Sequence, residues 1–287
     1  MNKGYIVSRK DYSSVVVRHE IYAPLIAAKA KAGNFVILRA KEGAERIPVT
    51  LVDWNAKAGT VTVIVQTIGK STSLVNALKQ GDSVQNIVGP LGVPVEIKKY
   101  GTVVCVGGGV GIAEMYPIAR AFREAGNKII SVLGARTKDL VILEPEMRSV
   151  SDEVLITTDD GTLGEKGLVT NAIQKLHDRG ENIGALFVIG PVIMMKVVGE
   201  LTKPWNTPTF ASLNPIMLDG TGMCGCCRVE VGGKTYLACV DGPMFDAHQV
   251  NFPLLLSRTR AYREAEQKCM DGYKHECNLD RAERESK

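Results

Sequence analysis

The sequence predicts a β-barrel, then an α/β domain built on a doubly wound parallel sheet, then a small cysteine-rich module near the C-terminus. Three observations lead there. Residues 1–97 are a succession of short runs rich in Val, Ile and Thr, cut by Gly, Asp, Asn and Lys, which is the texture of antiparallel β-structure. From Tyr100 onward apolar strand-like runs alternate with helical ones, the pattern left by a parallel sheet covered with helices. Four of the seven cysteines then fall within one stretch, LDGTGMCGCCRVEVGGKTYLAC, from Leu218 to Cys239.

In the first unit GYIVSRK, SVVVRHEI, NFVILRA, IPVTLVDW, TVTVIVQTI and SVQNIVG each read as a strand, and so many short strands predict a closed barrel. One helix, KSTSLVNALKQG, interrupts them, with Leu74, Val75 and Leu78 on one face and Gly81 as its stop. The Gly- and Pro-bearing VGPLGVPVEI marks the boundary. Beyond it TVVCVGGGV is a buried strand entering a glycine turn, GIAEMYPIARAFREAGN a helix and KIISVLGAR the next strand. VLITTDD, LVTNAIQKLHDRG, ALFVIG and PVIMMKVVGELTK continue the alternation. The expected units are residues 1–97, 98–208, 209–250 for the cysteine module, and a charged tail over 251–287. Cys269, Cys277, Arg258, Arg260 and Arg263 lie in that tail, whose charge run suits a solvated helix or a partner surface.

Composition limits the function. With 35 basic against 31 acidic side chains and no block of one sign, no nucleic-acid partner is implied. The N-terminal MNKGYIVSRKDYSS lacks the apolar centre of a signal peptide. The longest apolar run, IGALFVIGPVIMMKVV, is too short to span a bilayer and is broken by Gly190, Pro191 and Lys196. No membrane is expected, and a cytoplasmic protein is. Seven cysteines, odd in number and clustered, point to metal chemistry in a reducing compartment rather than to disulfides.

Three places carry chemistry. Gly107, Gly108, Gly109 and Gly111, followed by Ile112 and Ala113, sit where a strand ends and a helix begins, so backbone N–H groups and the helix dipole can receive a pyrophosphate. A tight turn without a ligand is the alternative. TIGKST, from Thr67 through Ile68, Gly69, Lys70 and Ser71 to Thr72, opens the one barrel helix, as plain caps or as a second phosphate cradle. Arg46 is either a partner for phosphate or a solvated strand-entry residue. In the cysteine segment, Asp219-x4-Cys224-x2-Cys227-x11-Cys239 has plant-type [2Fe-2S] spacing with aspartate in the first place. Structural zinc and reactive thiols are the competing readings, and zinc would recruit Cys226. Under the cluster reading Cys226 points away, and Asp219 is either the fourth ligand or a turn residue with Cys226 replacing it. Cys105 reads as a buried structural thiol.

Taken together, the barrel with TIGKST, the nucleotide half with GGGVGIAEMYP, the later IGP and the C-terminal cysteines resemble the ferredoxin-NADP reductase superfamily. Within it the chain is similar to electron-transfer subunits with a C-terminal [2Fe-2S] cluster, as in dihydroorotate dehydrogenase, and to the small subunits of NADH-dependent reduced ferredoxin:NADP oxidoreductases. The resemblance implies FAD on the barrel, along the strand Arg46, Pro48, Val49, Thr50 and the Thr67–Thr72 turn, with Thr50 near the isoalloxazine. It implies NAD(H) on the glycine turn, with Gly190 and Pro191 beside the nicotinamide. Arg136 and Lys138 follow a strand and could meet a ribose 2′-phosphate, while NADH is implied by the family. The expected chemistry is a relay between NAD(H), FAD and cluster, coupled through a larger flavin and iron-sulfur subunit to NADP and ferredoxin. Two residues depart from the family pattern: Val49 stands in place of an aromatic, one residue being added between Arg46 and Thr50, and Ile189 stands in place of a cysteine. A dihydroorotate dehydrogenase subunit and a zinc or redox sensor are the alternatives.

Overall fold

The computed structural model describes residues 3–273, so Cys277 lies outside the described residues. In the first unit the chain forms β1 (Ile6–Asp11), β2 (Val16–Tyr22), α1 (Pro24–Ala27), β3 (Phe35–Arg39), β4 (Arg46–Thr50), β5 (Asp53–Asn55), β6 (Thr60–Gln66), α2 (Lys70–Ala77) and β7 (Asn86–Leu91). The strands make two antiparallel sheets, β1-β2-β6-β5 and β4-β3-β7. They roll together around Ile21, Val36, Leu38, Leu51, Val61 and Val63, all buried. Apolar residues drive this because each sheet has one face that must leave water.

IPVTLVDW divides into β4 and β5 because it turns the corner between the sheets. The Leu51 N–H bonds to the Asn34 carbonyl at 3.0 Å and the next N–H, of Val52, to Thr62 at 2.9 Å. The opposite seam is a bridge between Tyr5 and Ser83. The helix α2 ends at Ala77, short of the expected Gly81, with Leu78 already extended. Arg9 Nη1 donates to the carbonyls of Asn76 and Leu78, at 2.6 and 2.8 Å, satisfying that helix end with a cation, as the helix dipole favours. The short helix α1 was not expected from sequence.

The second unit contains β8 (Thr102–Gly108), α3 (Gly111–Glu124), β9 (Lys128–Ala135), α4 (Glu144–Val150), β10 (Glu153–Thr158), β11 (Glu165–Lys166), α5 (Val169–Asp178), β12 (Ile183–Ile189), α6 (Val192–Thr202) and β13 (Thr209–Ser212). After it come β14 (Arg228–Val231), β15 (Lys234–Leu237), β16 (Met244–Asp246) and α7 (Phe252–Arg260). One seven-stranded sheet runs β11-β10-β9-β8-β12-β13-β16, parallel except for β16. The buried strand β8, at its centre, is apolar on both faces because helices cover both. Strand order reverses between β8 and β12, which is where open α/β sheets bind ligands.

This sheet takes in β13 and β16, which lie in the stretch expected for the cysteine module. The chain leaves the sheet after Ser212, forms the cysteine loop and the β14-β15 hairpin, and returns beside β13 as β16. The helix α7, in the expected tail, packs Phe252 and Leu255 inward. Among the described residues no helix is long and apolar enough to cross a membrane.

Leu38, fully buried between the two sheets of the first unit, is the simplest test of that packing. Leu38→Ala should cost about 2–5 kcal/mol in urea denaturation. A loss within about 0.5 kcal/mol would mean that the two sheets do not share this core.

Candidate functional site

The turn after β8 is shaped by close packing. A Cβ on Gly107 would lie 2.6 Å from Ile112 Cα, one on Gly108 would strike the Met194 sulfur, and one on Gly111 would strike the Ile189 carbonyl. Those three glycines let the end of β8, the start of α3 and the turn after β12 come together. Gly109 differs. Its φ is +58° and no atom lies within 4 Å of its Cβ position, so its open side is available to a ligand. Gly190 joins the same place, its Cβ position lying 2.5 Å from Met194 Cε and 3.2 Å from Gly108 Cα. Ile112 and Ala113 are buried beneath the turn, Pro191 precedes α6, and Arg136 stands exposed just past the end of β9.

On the barrel side, the Thr72 hydroxyl accepts from the backbone N–H groups of Ile68 and Gly69, at 2.9 and 3.0 Å. Thr72 is therefore a cap, while the N–H groups of the first turn of α2 point out of the helix end. Ser71 Oγ donates to Glu45 Oε2 at 2.6 Å, which ties this turn to the residue before β4. Asn76 Nδ2 donates to Thr67 Oγ1 at 2.9 Å, and the buried His19 ring lies 3.2 Å from Asn76 Oδ1. Ile68 and Pro48 are exposed, and Val49 and Lys70 are half-buried. Thr50 hydrogen-bonds Glu114 in the first turn of α3, so the end of β4 meets the helix that follows the glycine turn. Asp53 and Arg120 pair across the same seam at 3.0 Å, with Arg120 over the rings of Trp54 and Tyr116.

In the cysteine loop, Cys227 and Cys239 are buried with their sulfurs 3.2 Å apart. Burial and the neighbouring Cys227 push the Cys239 thiol up to about 12. Cys224 is exposed, and backbone N–H groups of Cys226 and Asp219 hold its thiol below the ordinary value. Cys226 lies beside Cys224, its sulfur 4.0 Å from the Cys224 carbonyl, rather than turned away. The Asp219 carboxylate accepts from the Thr221 N–H at 2.9 Å and from the Thr221 hydroxyl, the turn geometry expected of Asp before Gly, and these bonds lower its pKa. Among the described residues no group of three or more His, Cys, Asp or Glu converges on a single metal-ion position. Cys105 is buried in β8 with its thiol raised to about 12 by burial.

Residues 105–200 match an oxidoreductase NAD-binding domain, and residues 214–251 the iron-sulfur cluster binding domain of dihydroorotate dehydrogenase B. The chain is 46% identical over 91% of its length to a Thermotoga maritima protein, the dihydroorotate dehydrogenase B (NAD(+)) electron transfer subunit homolog, covering 92% of it. The electron transfer subunit from Geobacillus thermodenitrificans is 32% identical over 85% of this chain and 96% of that one. The chain belongs to the family of dihydroorotate dehydrogenase B-type electron-transfer subunits, within the ferredoxin-NADP reductase superfamily. A solved structure of an NADH-dependent reduced ferredoxin-NADP oxidoreductase, described for flavin-based electron bifurcation, superposes with TM-score 0.90 and 44% identity, covering 95% of this chain and 98% of that one. The structure of phthalate dioxygenase reductase shares the fold at TM-score 0.55 and 17% identity. This is a flavin-dependent NAD(H) oxidoreductase subunit of the electron-transfer type, with FAD, NAD(H) and an iron-sulfur cluster as its cofactors.

Sequence reasoning passed over Glu114 and Met194. Glu114 stands three residues past the last glycine of the turn in an ordinary first-turn acidic position, and only the fold brings Thr50 to it. Arg258, expected among solvated charges, turns inward and donates to the Cys226 carbonyl at 3.3 Å.

Burial raises the Glu114 carboxyl above the usual range, against the Thr50 hydrogen bond, so the folded chain holds this proton more tightly than the unfolded chain. Its contribution to stability is greatest below the unfolded pKa and is lost as pH rises through the folded one. Glu114→Gln should remove that loss, so the variant's Tm should gain on the wild type between about pH 4 and pH 8. Parallel Tm curves over that range would refute it.

Proposed function

We propose that this chain is the electron-transfer subunit of a ferredoxin-linked, electron-bifurcating NADH:NADP transhydrogenase, working with a larger flavin and iron-sulfur subunit that deals with ferredoxin. The observation that supports this best is the likeness, over nearly the whole chain, to the NADH-dependent reduced ferredoxin-NADP oxidoreductase structure. The aspartate in the first place of the cysteine spacing agrees with it.

When bound, FAD exchanges a hydride with the nicotinamide and single electrons with the cluster, which carries one at a time. The chain's own residues bind and orient. Gly109, open above a turn held tight by Gly107, Gly108 and Gly111, would admit the nucleotide pyrophosphate to backbone N–H groups. The first turn of α2, with Thr67 held by Asn76, would receive the flavin diphosphate, and Thr50 would stand at the seam where flavin and nicotinamide meet. Gly190 and Pro191, brought to the glycine turn by Met194, would border the nicotinamide, with Ile189 carrying no thiol to it. Arg136, past the neighbouring strand, would lie toward the ribose. No side chain is needed as a general acid or base.

The loop donors fit a two-iron cluster better than one ion. A two-iron cluster takes two protein ligands on each iron, and Cys227 and Cys239 already lie together as one such pair. Cys227 and Cys239, 3.2 Å apart, would hold one iron, and Asp219 with Cys224, whose sulfur receives the Asp219 N–H, the other. A zinc site would instead need its donors around one point.

A second reading, a dihydroorotate dehydrogenase electron-transfer subunit, is favoured by the names of the Thermotoga and Geobacillus relatives. Co-purification from the native cell separates the two. A larger flavin and iron-sulfur subunit that consumes NADPH and reduces ferredoxin supports the first, and a dihydroorotate-oxidising partner the second.

Gly109→Ala should raise the NADH Kd by at least about tenfold while flavin and iron contents stay level, since its methyl enters the open side of the turn at an unfavourable φ. Flavin bleaching titrated with NADH gives the answer, and an unchanged Kd would displace the nucleotide from this turn. For the loop, Cys226→Ser should keep the visible spectrum of the cluster and Asp219→Cys should keep a cluster at an altered potential. Loss of the cluster in Cys226→Ser, with Asp219→Ala unchanged in potential, would make this an all-cysteine site.

A further inference from the structure

We propose that Arg46 and Arg258 are positioning residues that grip the cluster-binding loop by its backbone from two sides and raise the reduction potential of the cluster it holds. The inference rests on the assignment of the loop to an iron-sulfur cluster and extends it to residues outside the cysteine segment.

Arg46 belongs to β4, on the flavin side of the molecule. Its Nη2 donates to the Asp219 carbonyl at 3.3 Å, across 173 residues of sequence. Its Nε is shielded from solvent and has no acceptor. Arg46 thus brings a guanidinium to the loop backbone while keeping a further buried donor free. The loop is pressed onto the same sheet next to it: Gly220, with φ +82°, has its Cβ position 2.8 Å from Leu91 Cδ1 and 2.9 Å from Ile37 Cγ1. No side chain fits between loop and sheet there.

Arg258 reaches the other end of the loop from α7. Its Nη2 donates to the Cys226 carbonyl at 3.3 Å. The helix that carries it is itself fixed, with Phe252 and Leu255 buried and the Asn251 side chain capping Leu254 N–H at 3.0 Å. The two guanidiniums therefore bracket residues 219–226 from separate elements.

The physical consequence has a definite sign. A cluster with four anionic ligands is an anion and becomes more negative on accepting an electron. Fixed cations close to it stabilise the reduced form more than the oxidised form, which raises the potential. Arginine stays protonated at every accessible pH, so the effect does not titrate. An aspartate ligand is a harder donor than thiolate and favours ferric iron, which works the other way. The arginines offset that preference.

The experiment is a redox titration of the cluster, followed by electron paramagnetic resonance, in the complete chain with its native partner. Arg46→Gln and Arg258→Gln should each shift the cluster midpoint to lower potential by the same amount at acidic and alkaline pH, the Arg258 variant with FAD content unchanged. Lysine at either position should restore part of the shift, since it returns the charge without the planar fork. Midpoints equal to the wild type in both glutamine variants would overturn the proposal. So would loss of FAD from Arg46→Gln with an unchanged cluster potential, which would make Arg46 a flavin ligand. If Arg46→Gln fails to fold, Arg258→Gln decides alone. A wild-type chain without a cluster signal would instead bring down the cluster assignment itself.

Discussion

The short antiparallel ladder between β13 and β16 is the contact on which the arrangement of this protein depends. Three residue pairs, Phe210 with Asp246, Ala211 with Phe245 and Ser212 with Met244, close it. Everything between them, including all four candidate cluster ligands, is an excursion that must begin and end at neighbouring strands of the nucleotide sheet. The excursion leaves from beside β12, whose end carries Ile189 and the Gly190 turn, so cluster loop and nucleotide site share one rigid support. Electron transfer needs little motion and fixed separations, and a sheet buried on both faces supplies them.

The barrel is joined to this support by contacts that are polar on one side and steric on the other. Asp53 with Arg120, and Thr50 with Glu114, join β-strand ends to α3. Gly220 against Ile37 and Leu91 brings the cluster loop down on the β3-β7 side of the barrel. The first unit thereby touches both the nucleotide half, through α3, and the cluster loop. Gly220 at the loop contact is what lets the backbone approach the barrel sheet so closely.

Much of the fold could be read from local pattern. Strands such as β2, β6 and β8 declare themselves because burial on a pleated surface selects runs of Val, Ile and Thr, and the glycine turn because four glycines in five positions exceed what an ordinary turn requires. The helices α1 and α4 did not, being a turn or two long and without a full amphipathic stripe. The split of IPVTLVDW into β4 and β5 was equally invisible, since a strand that changes sheets keeps the same composition on both sides of the corner. The cluster spacing and the turn at Asp219 were legible in one dimension, but the placing of Cys226 beside Cys224 was not.

The sequence by itself determined the local motifs present: a glycine turn between strand and helix, a second helix-opening turn in the barrel, and a four-donor spacing with an acid in first place. These are local, because ligand atoms and backbone conformations a few residues apart are tied by the chain itself. Only the tertiary structure decided how the sites are combined. Arg46 meets Asp219, Arg258 meets Cys226 and Thr50 meets Glu114 through folding of segments separated by long stretches of chain. An arginine in a charged tail and an arginine in a strand look alike in sequence. Which of them faces water and which faces an anionic loop depends on packing of elements that carry no mark of their partner.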